Sequence, residues 1–130
     1  MTIAYEGQRA GEYLVSELDR RYSRDEATLA SGEKHVDGDI LVLSGSKLYV
    51  LDAITDFDTA EALTGALAGI AWGDVDASAT GANADILKVP YVARGAVVRE
   101  AYLNLPADAQ KKAAVLAALA AVNPKIVVVD

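Results

Sequence analysis

The stretch VDGDILVLSGSKLYVLD, Val36–Asp52, decides the fold class. Ile40–Leu43 is a continuous aliphatic run too short for a helix, bounded on both sides by Gly-containing turn chemistry. Ser44-Gly45-Ser46 is a tight turn, because glycine enters the positive-φ conformations that such turns need at little cost. Lys47–Asp52 is the return strand, so residues 39–52 read as a β-hairpin with Ile40, Val42, Leu48 and Val50 as core or sheet-face residues. Gly32, Gly38 and Gly45 set the turns. The intervening SGEKHVDGD reads as a polar loop that leaves Lys34, His35 and Asp37 in solvent.

Working outward, Glu26–Ala30 carries a brief strand alternation. In ALAGIAWGDVDA the glycines 65, 69 and 73 argue against a helix and favour a buried strand with close backbone contact. ILKVPYVAR and GAVVREAYL follow as strands joined near Arg94-Gly95. Pro90 lacks a ladder donor and demands an edge or a bulge in the first of them. PADAQKKAAVLAALAAV is the one substantial helix, with Pro106 and Asp108 in its first turn and a stripe of Val115, Leu116, Leu119 and Val122. Beyond Ala113 that helix bears no charge, which implies cover on more than one side, from its own sheet or another subunit. KIVVVD is a closing strand. Residues 1–12 have no useful periodicity and read as a frayed terminus, or as an arm that orders on a partner. The expected architecture is a β-rich α+β fold: one domain, residues 13–130, with short strands in a barrel-like core, a major C-terminal helix and a flexible arm at 1–12.

The 130 residues suffice for a core, and their net charge of −7 with dispersed Lys and Arg argues against nucleic acid as a partner. There is no cysteine, so neither disulfides nor thiolate metal sites are available. No segment reads as a signal peptide or a membrane span.

No catalytic constellation emerges. His35 is the only histidine, and Ser31 nearby lacks the nucleophile-elbow glycines. Asp52, Asp56 and Asp58, and the pair Asp74/Asp76, miss the spacing of a calcium loop and read as turn or solvated carboxylates. Lys47 follows its turn into a strand, unlike the lysine of a biotinyl or lipoyl carrier. Trp72 reads as a core residue or interface anchor before a ligand stacker, and Tyr91 and Tyr102 as wall or rim. No cofactor, metal or small-molecule substrate is expected.

The order of segments resembles the head decoration proteins of tailed bacteriophages, the family that includes the lambda decoration protein. The resemblance is carried by GEYLVSE, SRDEATLASGE, VDGDILVL, SKLYVLD, LAGIAWGDVDAS, VARGAVVREAYLNLP and AQKKAAVLAALAAVNPKIVVVD, from Gly11 to Val129. It departs at Leu105, where an aromatic precedes the proline in some members, and at Asn123-Pro124-Lys125, where Gly is often found. The resemblance implies a non-enzymatic protein that forms homotrimers on the outside of the expanded head, at three-fold and quasi-three-fold positions, and clamps neighbouring subunits of the major capsid protein. It implies synthesis in the host cytoplasm and residence in the virion. The arm, with Thr2, Ile3, Ala4, Tyr5 and Tyr13, is then the expected capsid contact. The competing reading is a monomeric β-barrel ligand-binding or accessory module with Trp72 or Tyr91 around a small molecule; a hydrolase built on His35 and an Asp is a weaker third.

Overall fold

A computed structural model describes residues 11–17, 23–51, 66–77, 85–122 and 124–129. The expected hairpin is present as β4 (Ile40–Ser44) and β5 (Lys47–Val50), paired antiparallel from Leu41↔Val50 to Ser44↔Lys47. Gly45 and Ser46 both have positive φ (57° and 69°), the primed turn whose twist matches that of the strands. Gly32 and Gly38 also have positive φ, as their turns require.

The hairpin lies inside a closed barrel with strand order β2-β5-β4-β6-β8, where β2 is Arg24–Leu29, β6 is Leu67–Ala71 and β8 is Ile86–Val92. Closure comes from the parallel pairing of β2 with β5, Thr28↔Lys47 and Leu29↔Leu48. The strand expected around Gly69 is thus β6, with Ala68–Ala71 buried. Pro90 does not mark an edge: β8 pairs with β2 along Pro90 and with β6 at Val92 and Tyr91. The bulge is present instead. The β2–β8 register slips between Ala27 and Leu29, and Lys88 on the bulged strand has φ 57°.

Strand alternation splits the core in two. Leu29, Leu41, Leu48, Val89 and Tyr91 form one buried cluster, which fills the barrel. Ile40, Val42, Ile70 and Val92 point the other way, into a second cluster with Tyr13, Val98, Val115, Leu119 and Ile126. That second layer is closed by a three-stranded sheet, β1-β9-β10, and one helix. In the sheet, β1 (Leu14–Glu17) runs antiparallel to β9 (Ala96–Arg99), and β10 (Val127–Val129) runs parallel to it. A 3-10 turn, Glu100–Tyr102, follows β9.

Helix α1 spans Ala109–Ala121. Asp108 is its N-cap, accepting from the backbone N–H groups of Gln110 and Lys111 at 2.8 and 3.2 Å, and Pro106 lies outside it. The helix therefore starts later than expected, because the capping carboxylate claims the first free donors. Ala114, Val115, Ala118 and Leu119 are its buried residues, while Leu116 and Val122 are half-buried. Ala113, Ala117, Ala120 and Ala121 are exposed in the single chain, so its own fold covers the uncharged half of the helix on one side. Both departures from the family pattern are absorbed by packing: Leu105 lies against the second core layer, and the Pro124 carbonyl accepts from Gly95 N–H at 3.0 Å.

His35 and Asp37 overturn the solvated-loop reading, with relative exposures of 1% each. β3 (Lys34–His35) pairs antiparallel with β7 (Val75–Asp76), and this small sheet turns the loop inward. Tyr91 is likewise buried in the barrel, where burial raises the pKa of its hydroxyl, and is not a rim residue.

Candidate functional site

A built polar feature of the described structure gathers around Gly11, the first described residue. Val36-Asp37-Gly38-Asp39 is a turn closed by Asp39 N–H to the Val36 carbonyl, 3.1 Å, and reinforced by Val36 N–H to Asp39 Oδ2, 2.9 Å. These local bonds are what Asp and Gly at such spacing favour. They free the Asp37 side chain to point inward. Its Oδ1 accepts two backbone donors, Gly11 N–H and Gly73 N–H, each at 2.7 Å. Its own N–H donates to Asp74 Oδ1 at 2.9 Å. A buried carboxylate is stable where backbone donors replace its water.

Trp72 forms the wall of this site. Its ring lies so close to Gly11 that a Cβ there would stand 2.0 Å from the ring carbon Cη2. Gly11 also has φ 74°, so glycine is required twice over. The Arg24 guanidinium carbon stacks 3.7 Å from the Trp72 ring centre, and Tyr13 meets the ring edge-on at 6.3 Å. Arg24 is held by a bidentate pair with Glu17, at 2.9 and 3.2 Å, which joins β2 to β1. Both side chains are about 15% exposed, enough shelter for the pair to matter more than a surface one. Tyr13 is fully buried, its hydroxyl donates to the Ile70 carbonyl at 3.3 Å, and burial pushes that hydroxyl far above its ordinary range.

Of the residues expected at the capsid contact, Tyr13 is therefore a core residue and not part of a free arm: its ring is fully buried against the second core layer. Gly11, counted within the arm, is bound to Asp37 and packed on Trp72. Thr2, Ile3, Ala4 and Tyr5 lie outside the described residues, as do Asp52, Asp56 and Asp58. Asp74 and Asp76 are exposed, and among the described residues no cluster of His, Asp and Glu suits a metal. His35 and Ser31 are not brought together into a site: Ser31 N–H binds Asp85 Oδ1 at 2.8 Å, whereas both ring nitrogens of His35 are buried without a hydrogen-bond partner. Burial lowers the His35 pKa against the pull of Asp39, the Gly73 backbone, Asp74 and Asp37.

Asn104 belongs to the same site and carries no signal in the sequence. Its N–H donates to the Gly38 carbonyl at 3.0 Å, and its side-chain amide donates to Asp39 Oδ1 at 2.7 Å. Only the Asp-Gly turn chemistry of residues 36–39 hints at the site; its partners lie more than twenty residues away.

A barrel filled by its own side chains, a second core layer under a small sheet and a helix, and a buried carboxylate that fastens Gly11 define a small β-barrel domain. The chain matches the family described as bacteriophage lambda head decoration protein D over residues 3–124, and it belongs to that family. It is thus of a family of phage head components with a decoration role. No curated protein and no solved structure matches the chain.

Proposed function

We propose that the protein docks as homotrimers on the outer surface of the expanded head, at three-fold and quasi-three-fold positions, and clamps neighbouring subunits of the major capsid protein, with Thr2–Tyr5 as the leading contact. The observation that carries this reading is the extent of the family match. It begins at residue 3 and so includes the N-terminal segment as well as the barrel.

The physics is that of linkage. A protein that binds only the expanded shell stabilises it by about 2.7 kcal/mol per site at a hundredfold excess over its dissociation constant. Three segments on one trimer raise the local concentration of each for its own site. An extended segment such as TIAYEGQ can add a strand to an exposed coat edge, with Ile3 and Tyr5 setting the side-chain register. The uncharged Ala113, Ala117, Ala120 and Ala121 face of α1 is exposed in the single chain and suits a subunit seam. Trp72 then acts through the root of the segment rather than as a direct anchor. The ligand-binding alternative needs an internal cavity, and Leu41, Leu48, Val89 and Tyr91 occupy that space.

The test is to mix the purified protein with expanded, undecorated heads of the phage that encodes it and to count bound copies by cryo-microscopy. Density for three copies at each three-fold position is expected. Empty three-fold positions at saturating protein overturn the reading.

A further inference from the structure

We infer that Asp37, Trp72 and Gly11 form a preset root for the N-terminal segment, a clamp that fixes where and in which direction that segment leaves the body before any capsid is met. The inference rests on the reading that residues before Gly11 contact the coat. It goes further by assigning three positioning residues that need not touch the coat themselves.

The geometry has more constraint than folding of the barrel needs. Tyr13 already ties the start of β1 to the core, with its ring buried and its carbonyl accepting Arg99 N–H at 2.8 Å, and β1 is further held by its pairing with β9. Yet two residues earlier the backbone is gripped again. Gly11 N–H is taken by Asp37 at 2.7 Å, and its carbonyl accepts Leu14 N–H at 2.9 Å. Its Cα face is pressed on a Trp72 ring that cannot retreat cheaply, because Arg24 stacks on it and Glu17 holds Arg24. The acceptor is supported in turn: Asp37 N–H is bound by Asp74, Gly73 N–H shares the same Asp37 oxygen, and the Asn104 amide reaches the Asp37 carbonyl at 3.3 Å. Elements from four separate parts of the chain thus converge on one backbone amide at the start of the described structure.

Such a root does its ordering during folding. If Gly11 and Glu12 were loose, their backbone would have to be ordered at docking, each residue weakening binding by on the order of fivefold. Preorganisation removes that loss from the binding step, and in a trimer it would do so for each segment.

The chain has no cysteine, so nitroxides can be placed without background through Gln8→Cys and Glu26→Cys. Pulsed dipolar spectroscopy then reads the spread of distances between segment and body. Gly11→Ala and Asp37→Ala should broaden that spread, and Asp37→Asn, which keeps an acceptor oxygen, should broaden it less. In parallel, docking to expanded heads should weaken about tenfold for Gly11→Ala, while the thermal midpoint, followed by Trp72 fluorescence, stays cooperative. A chain lacking residues 2–10 is measured beside them. If that deletion weakens docking but Gly11→Ala neither broadens the distances nor costs at least about threefold in affinity, the clamp is overturned and the contact reading stands. If the deletion itself leaves docking unchanged, the contact reading falls and takes the clamp's role in docking with it.

Discussion

Gly69 and Val92 meet backbone to backbone across the β6–β8 seam of the barrel: a Cβ placed on Gly69 would stand 2.0 Å from the Val92 carbonyl oxygen. The obstacle is main chain in a paired strand, next to the Ile70↔Val92 pair, so it cannot rotate away as a side-chain tip would. Gly69→Ala should therefore destabilise the fold by at least about 3 kcal/mol, in the range of severe overpacking. Urea unfolding checks this, and a loss below about 1 kcal/mol would show that the seam can open.

The Arg24–Trp72 stack predicts an optical signature, because Trp72 is the sole tryptophan. Arg24→Lys keeps the charge but loses the planar fork that serves Glu17 and the ring together. It should cost about 1 kcal/mol and shift the native emission spectrum. Glu17→Gln should cost less alone, and the double variant should show coupling between the two positions. Additive losses would mean that the pair and the stack act independently.

His35 predicts a pH dependence with a definite sign. Its folded-state pKa lies below the ordinary value of 6.5, chiefly through burial, with Asp39, Asp74 and Asp37 pulling the other way. The unfolded chain therefore takes up a proton before the folded one does. Stability is complete above neutral pH and declines as pH falls through about 6.5 toward the lower folded value, with a slope of up to about 1.4 kcal/mol per pH unit. As the only histidine, it titrates in a window that most carboxylates leave clear. His35→Leu should flatten the stability curve just below about pH 6.5. An unchanged slope would assign the dependence elsewhere.

Asp108 predicts a local loss. It is exposed, and its carboxylate serves the first free donors of α1. Asp108→Ala should cost about 1 kcal/mol and Asp108→Asn much less, both measurable by thermal unfolding.

The hairpin at 39–52, the β6 strand around Gly69, the late helix and the bulge demanded by Pro90 were legible because each is written in neighbouring residues: turn glycines, an aliphatic run, a helical stripe, a missing donor. The start of α1 is less legible, since Pro106 and Asp108 both suit a first turn and only the geometry shows Asp108 acting as the cap. The burial of His35, Asp37 and Tyr13 is not legible, for the opposite reason. A polar stretch between two glycines is a loop by every local rule, and β7, forty residues away, is what turns it inward.

Local residue chemistry sets the period and punctuation of the elements, and their order points to the family. Those properties depend on sterics and hydrogen bonding over a few residues, so they survive without knowledge of the rest of the chain. That Asp37 holds Gly11, that Tyr13 is core, and that the two faces of β4 serve two different core layers follows from long-range packing alone. Closure of the barrel brings together residues remote in the chain, and burial then dictates which polar groups must find partners.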